Sequence, residues 1–119
     1  MGSAKEQIVA GAKRILNEPS RPCALFCWSD FVAVEVLSIA SEMGVSIPSD
    51  VAIVGYDNSP VCALAQNNLT SVDQSGALLG QTAATLLLER VRGRVSAQHI
   101  ILQPQLIARA SSAAVSECG

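Results

Sequence analysis

The stretch Val51-Ala52-Ile53-Val54-Gly55-Tyr56-Asp57 constrains the fold of this 119-residue chain more than any other. It is a continuous apolar run, rich in Val and Ile, closed by a glycine and then a carboxylate. Such a run, without the period of a helix face, is how a strand buried on both faces reads. It predicts a central strand of a parallel sheet flanked by helices, an α/β fold. In an open parallel sheet the ligand crevice lies beyond the carboxyl ends of the strands, which puts Asp57 where a binding side chain would sit. The plain alternative is that a polar residue after a strand is loop chemistry.

The composition agrees with one globular domain or a large part of one. Hydrophobic residues make up 50% and charged residues 15%, which is far from disorder. A net charge of -2 argues against nucleic-acid binding by this chain itself, because phosphate contacts need a concentrated basic face. The longest apolar runs reach about half of the ~20 residues a bilayer crossing needs, so no membrane partner is implied. Met1-Gly2-Ser3 reads as a cloning remnant rather than a signal peptide, since no apolar segment follows it.

In chain order, Ile8, Val9, Ala12, Ile15 and Leu16 repeat with the spacing of one helix face between Ala4 and Asn17. Pro19 and Pro22 end that helix. Cys23 to Trp28 is a second buried strand, followed by a helix from about Phe31 to Met43 that Ser29 or Asp30 can cap, with Gly44 as its stop. Strand, helix and strand within about thirty residues is the length of a parallel crossover, and it delivers Trp28-Ser29-Asp30 and Tyr56-Asp57-Asn58 to one edge of the sheet. Beyond it, the sequence predicts a helical turn at Val61 to Ala65, a short extended piece at Leu69 to Val72, and a strong helix from Gly76 to Arg92. Strand-like pieces follow at His99 to Leu102 and Gln105 to Arg109, divided by Pro104, and Ala110 to Gly119 reads as a frayed tail.

Cys23 and Cys27 stand four apart on a candidate strand, about 13 Å from one another, and cannot bridge each other. With no C-x-x-C and a single His99, no metal site or cofactor is expected, and the cysteines read as small apolar residues in a reducing cytoplasm. A cysteine-dependent enzyme on a doubly wound fold, drawing on Cys27, Cys62 and His99, is the competing class. No motif sets those residues at a turn and no acidic partner is placed by spacing. A nucleotide site fails for want of a glycine-rich phosphate loop.

Pro22-Cys23-Ala24-Leu25-Phe26-Cys27-Trp28-Ser29-Asp30-Phe31-Val32-Ala33 resembles the P-T-A-I-F-A-x-N-D-x-x-A segment of the lactose-repressor/galactose-repressor (LacI/GalR) family. Gly44 to Asn58 resembles that family's G-x-x-V-P-x-D-V-x-V-V-G-Y-D-D/N segment. Leu69-Thr70-Ser71-Val72-Asp73-Gln74, Leu79-Gly80 and Leu106-Ile107-Ala108-Arg109 supply further landmarks in order, so the resemblance covers nearly the whole chain. It implies a non-enzymatic, cytoplasmic transcription regulator with a periplasmic-binding-protein-like I core, whose two subdomains close on a small effector of the sugar or nucleoside class. Operator DNA would be reached only through an amino-terminal helix-turn-helix domain that this sequence does not contain. A periplasmic-type small-molecule-binding protein is the nearest alternative.

By the same resemblance, residues 1–72 and 104–112 form the carboxyl-terminal effector subdomain, 73–103 are hinge, helix and strand of the other subdomain, and 113–119 are a tail. Asp57 matches the aspartate that accepts hydrogen bonds from the ligand, and Gln74 lies at the hinge facing the cleft. Ser29 takes the place of an asparagine that contacts ligand; a hydroxyl is shorter and has only one donor. Asp30 matches a residue with the structural task of capping the helix. Trp28 either stacks on a sugar face or fills the core. Asn67-Asn68 replaces a proline pair before the hinge. Val34, Val36 and Leu37, with Leu64 and Ala65, fall near the surface through which family members form homodimers; ordinary core packing is the alternative for about half of them. The stripe Leu79, Ala83, Leu86 and Leu87 would expose several hundred Å2 of apolar surface unless its helix folds back on its own sheet or pairs with another copy.

Overall fold

The computed structural model describes residues 2–113; of the expected tail, residues 114–119 lie outside the described residues. Ser3 opens helix α1 (Ala4–Leu16) with a capping box, its hydroxyl accepting from the Glu6 N–H while the Glu6 carboxylate accepts from the Ser3 N–H. Strand β1 (Ala24–Phe26) leads into helix α2 (Asp30–Glu42), and strand β2 (Ala52–Tyr56) follows. A short 3-10 helix (Pro60–Ala63), strand β3 (Thr70–Asp73), helix α3 (Gly76–Val91), strand β4 (Gln105–Ile107) and a second 3-10 turn (Ala110–Ser112) complete the chain.

The sheet order is β1-β2-β3-β4, with β1 and β3 both parallel to β2 and β4 antiparallel to β3. The expected parallel sheet is therefore mixed at one edge. The register sets Leu25 beside Ile53 and Phe26 beside Val54, so the run that begins at Val51 is the sheet's centre. Val51 and Ile53 are fully buried, and α2 packs Val32, Ala33, Val36, Ile39 and Ala40 against that side of the sheet. Helix α1 lies on α2 through Ala12 and Leu16, with Lys5 and Glu35 paired at 3.3 Å across the contact.

Four expectations are corrected. His99 to Leu102 forms no strand, because among the described residues no neighbouring strand pairs with its backbone. The start of the supposed tail is a structural lock. Ser111 is 3% exposed; its hydroxyl donates to the Ile53 carbonyl at 2.6 Å and accepts from the Thr70 N–H at 2.8 Å. Cys23 is half-buried and disulfide-bonded rather than a free thiol; Cys27 and Cys62 are free and buried as expected. Burial pushes the Cys27 thiol up to about 11.

Helix α3, against the fourth expectation, does not fold back on the sheet. None of its residues is buried, and Leu78, Leu79, Leu87, Leu88 and Val91 are all exposed. The radius of gyration, 18.5 Å, exceeds the ~13.5 Å of a compact domain this long. The helix projects because β3 ends at Asp73 and Ser75, with φ 55°, turns the chain away from the sheet.

Candidate functional site

The parallel pairing of β1 and β2 carries the residues after both strands to one rim, as the sequence implied. At the end of β1, Trp28 is 78% exposed, which excludes the core-filling alternative. Ser29 caps α2, its hydroxyl accepting from the Val32 N–H at 3.3 Å. The chain's four aromatic residues all stand here: Phe26, Trp28 and Phe31 are exposed, and Tyr56 meets Phe26 edge-to-face with ring centres 6.3 Å apart. Aromatic residues usually fill cores, so an apolar core built without them leaves this rim as their one location.

Asp30 is not the cap that the resemblance assigned it. Its carboxylate points under the sheet's edge, 2% exposed, and accepts from the Ser71 hydroxyl at 2.5 Å, the Ser59 N–H at 2.7 Å and the Ser59 hydroxyl at 2.9 Å. Burial works to raise its pKa. The hydrogen bonds from Ser71, Ser59 and Cys62 outweigh that and hold the carboxyl below its ordinary value. Burial and then the neighbouring Asp30 raise the pKa of Cys62. Gly55 is required by this approach. A Cβ there would strike Asp30 Oδ1 and lie 3.2 Å from the Asp30 Cα and 3.1 Å from Leu69 Cδ2.

At the end of β2 the backbone turns sharply: Asp57 has φ 110° and Asn58 φ 51°. Asparagine tolerates the left-handed region, but φ 110° is strained for an aspartate, and strain of this kind gathers at functional sites. Asp57 is exposed, its N–H bonds the Val72 carbonyl at 2.9 Å, and its carboxylate accepts from Gln74 Nε2 at 2.5 Å. Two of the residues singled out from sequence, Asp57 and Gln74, thus meet directly.

Asn58 is held from three sides. Its N–H bonds the Ser71 hydroxyl at 3.0 Å, its Nδ2 donates to Asp73 at 3.0 Å, and its Oδ1 accepts from Arg109 Nη2 at 2.9 Å. Asp73 also accepts from the Ser75 N–H at 2.7 Å; the Asn58 bond first and the Ser75 bond second hold its carboxyl below the ordinary value. Arg109 Nη1 donates to the Leu69 carbonyl at 2.8 Å. Sequence reasoning gave Asn58, Asp73 and Arg109 no role. The signal was there in the Asp57-Asn58 pair and the lone Arg109 after β4, but only the fold shows that they converge.

The remaining singled-out residues lie elsewhere. Val34 and Leu37 are half-buried against the core, whereas Leu64 and Ala65 are exposed. Leu37 lines a pocket of about 280 Å3 with Ser41, Val45, Ile47, Gln66, Asn67, Ala110 and Ser111, away from the rim residues. His99 is exposed beyond α3 and shares no site with either buried thiol. Among the described residues no three His, Cys, Asp or Glu side chains gather as a metal site would require, and no helix is long and apolar enough to cross a membrane.

The profile of the periplasmic binding protein-like domain matches residues 2–112. The chain belongs to this family. The proteins it resembles include LacI-type regulators. The HTH-type transcriptional repressor PurR of Escherichia coli O139:H28 is 41% identical over 102 residues, which is 85% of this chain and 30% of PurR. A LacI transcriptional regulator from a Rhodococcus species superposes with a TM-score of 0.83 at 26% identity, over 93% of this chain and 41% of that one. A CelR–cellobiose complex gives 0.81 at 32% identity, over 90% and 33%. A Lactobacillus casei LacI family regulator with bound sucrose gives 0.77 at 30% identity, over 92% and 41%. The chain thus spans about a third of the length of the curated relatives it matches.

Proposed function

We propose that this chain contributes one wall of the effector cleft of a LacI-type transcriptional regulator, for a polar ligand of the sugar or nucleoside class. The observation that carries the reading is Asp57: exposed, strained at φ 110°, and placed beside the end of the parallel neighbour that bears Trp28 and Ser29. An ionised carboxylate is an acceptor only, suited to ligand hydroxyls or ring N–H groups. Trp28 offers an exposed ring for stacking on the ligand's apolar face, and Gln74 supplies a second polar group from the end of β3. Ser29 has committed its acceptor to the helix cap and keeps its O–H for a ligand oxygen. The sugars named with two of the structural relatives support this ligand class.

In this reading residues 73–103 belong to the opposing subdomain, which accounts for a helix α3 with no buried residue. The regulator acts in the cytoplasm, catalyses nothing, and forms a homodimer near Leu64 and Ala65, with Val34 and Leu37 behind them. Operator DNA is contacted by a separate helix-turn-helix domain. Neither free thiol is primed as a nucleophile, since both are buried with raised pKa values. The test is a thermal-shift screen of sucrose, cellobiose and common nucleosides on the chain and on a full-length parent, repeated with Asp57→Ala. A ligand at 100 times its Kd stabilises by about 2.7 kcal/mol. That increment should vanish in the variant; a ligand that stabilises both proteins equally removes Asp57 from the site.

A further inference from the structure

The Asp57 carboxylate is only as well placed as the turn that carries it, whose backbone is tied to β3 by the Asp57 N–H on the Val72 carbonyl at 2.9 Å and the Asn58 N–H on the Ser71 hydroxyl at 3.0 Å. The side chain of the next residue adds a tie that the backbone lacks, to the far edge of the sheet. The Asn58 amide is spanned on both sides, with Nδ2 donating to Asp73 Oδ2 at 3.0 Å and Oδ1 accepting from Arg109 Nη2 at 2.9 Å. Asp73 ends β3 and Arg109 follows β4, so the amide joins the turn to both strands at the far edge of the sheet. The two anchors are themselves tied. Asp73 Oδ1 accepts from the Ser75 N–H at 2.7 Å, and Arg109 Nη1 donates to the Leu69 carbonyl at 2.8 Å.

We propose that Asn58 is the positioning residue of the site: clamped between Asp73 and Arg109, its amide sets the direction of the Asp57 carboxylate and keeps it within reach of Gln74. The clamp is chemically directional. A primary amide can donate to a carboxylate through its nitrogen and accept from a guanidinium through its oxygen at once. An aspartate at this position would keep the Arg109 bond and face Asp73 with like charge. Exchanging the two groups, with aspartate at 58 and asparagine at 73, restores every donor–acceptor pair: the new carboxylate accepts from Arg109 and from the amide at 73, whose oxygen accepts from Ser75.

That Asp57 meets a ligand rests on the function proposed above; the clamp itself does not, and the experiment keeps the two apart. The isotopically labelled 119-residue chain is studied without ligand as wild type, Asn58→Gly, Asn58→Asp, Arg109→Lys and the double variant Asn58→Asp/Asp73→Asn. Glycine preserves the positive φ while deleting the amide. The readout is water exchange of the Gln74 side-chain NH2 protons, with backbone amides of β2 and β3 as the control for folding. Loss of one well-placed hydrogen bond should speed Gln74 exchange about tenfold in Asn58→Gly, Asn58→Asp and Arg109→Lys, with strand protection unchanged. The double variant should return it to the wild-type rate. If Asn58→Gly does not fold, Arg109→Lys and the exchanged pair decide the matter. Unchanged Gln74 exchange in the folded single variants, or no recovery in the double variant, overturns the clamp. Sucrose titration of the same proteins then bears on the ligand alone: a chain whose clamp behaves as described but whose variants bind sucrose like wild type loses the function and keeps the clamp.

Discussion

Replacing Asp30 with asparagine removes one charge and two hydrogens' worth of acceptor capacity from the place where three elements meet. In the wild type the carboxylate at the start of α2 accepts from Ser71 of β3 and twice from Ser59 of the loop after β2, while 2% exposed. An amide oxygen can keep the bond to Ser71 or the pair to Ser59, but its NH2 cannot accept from the Ser59 N–H. A hydrogen bond to a buried charged group contributes about 1.5–3 kcal/mol, and a buried donor left without an acceptor costs about 1–3 kcal/mol. Asp30→Asn should therefore destabilise the chain by about 3 kcal/mol at pH 7, a large part of the 5–15 kcal/mol typical of a whole domain. The pH dependence has a definite sign. Because the folded pKa lies below the ordinary 3.8, the carboxylate's contribution is fully present above that value and is lost as pH falls through the folded pKa. Urea denaturation at pH 7 and pH 3 measures both quantities: the gap between wild type and Asp30→Asn should be wide at pH 7 and smaller at pH 3, where the unfolded carboxyl is already largely protonated. A variant within 0.5 kcal/mol of wild type at pH 7, on the usual scale of surface substitutions, or a gap independent of pH, refutes the reasoning.

Two other outcomes follow from the same contacts. Gly55→Ala should cost about 2 kcal/mol by denaturant titration, because the added methyl meets Asp30 and Leu69 in a packed space; an unchanged midpoint would mean that the approach of α2 to β2 is looser than the distances imply. The unburied α3, with Leu79 and Leu87 exposed at 51% and 64%, should make the isolated chain self-associate, and light scattering after size exclusion should show a mass that rises with concentration and falls back towards the monomer in Leu79→Glu/Leu87→Glu. A strictly monomeric wild type would contradict it.

The elements were legible wherever hydrophobic period and turn chemistry agreed. The run from Val51, the helix faces of α1 and α2, and the caps at Ser29 and Gly44 are local signals, and each element appears within a residue or two of its expected bounds. The failures are of another kind. Ser111 looks like tail composition, yet it satisfies the Ile53 carbonyl 58 residues away, a pairing that only the folded sheet creates. His99 to Leu102 has strand composition without a partner strand, and β propensity becomes a strand only against a neighbour. Asp30 sits next to a helix start and suits a cap, but the serine before it already fills that place, leaving the carboxylate free to turn inward. At the rim, Asp57 and Gln74 were singled out and do meet, 17 residues apart; Asn58, held by Asp73 and Arg109, needed three separate elements to come together before its role could be seen.

The most direct test of the effector reading is to titrate the labelled chain with sucrose, cellobiose and nucleosides and map which backbone amides shift. The cleft reading places the shifts of at least one ligand at Trp28 to Asp30, Asp57 to Asn58 and Asp73 to Ser75, on the single rim where β1, β2 and β3 end. Shifts gathered instead around Leu37, Ser41, Gln66 and Asn67, in the pocket beside α2, would move the binding site off the strand ends and contradict it.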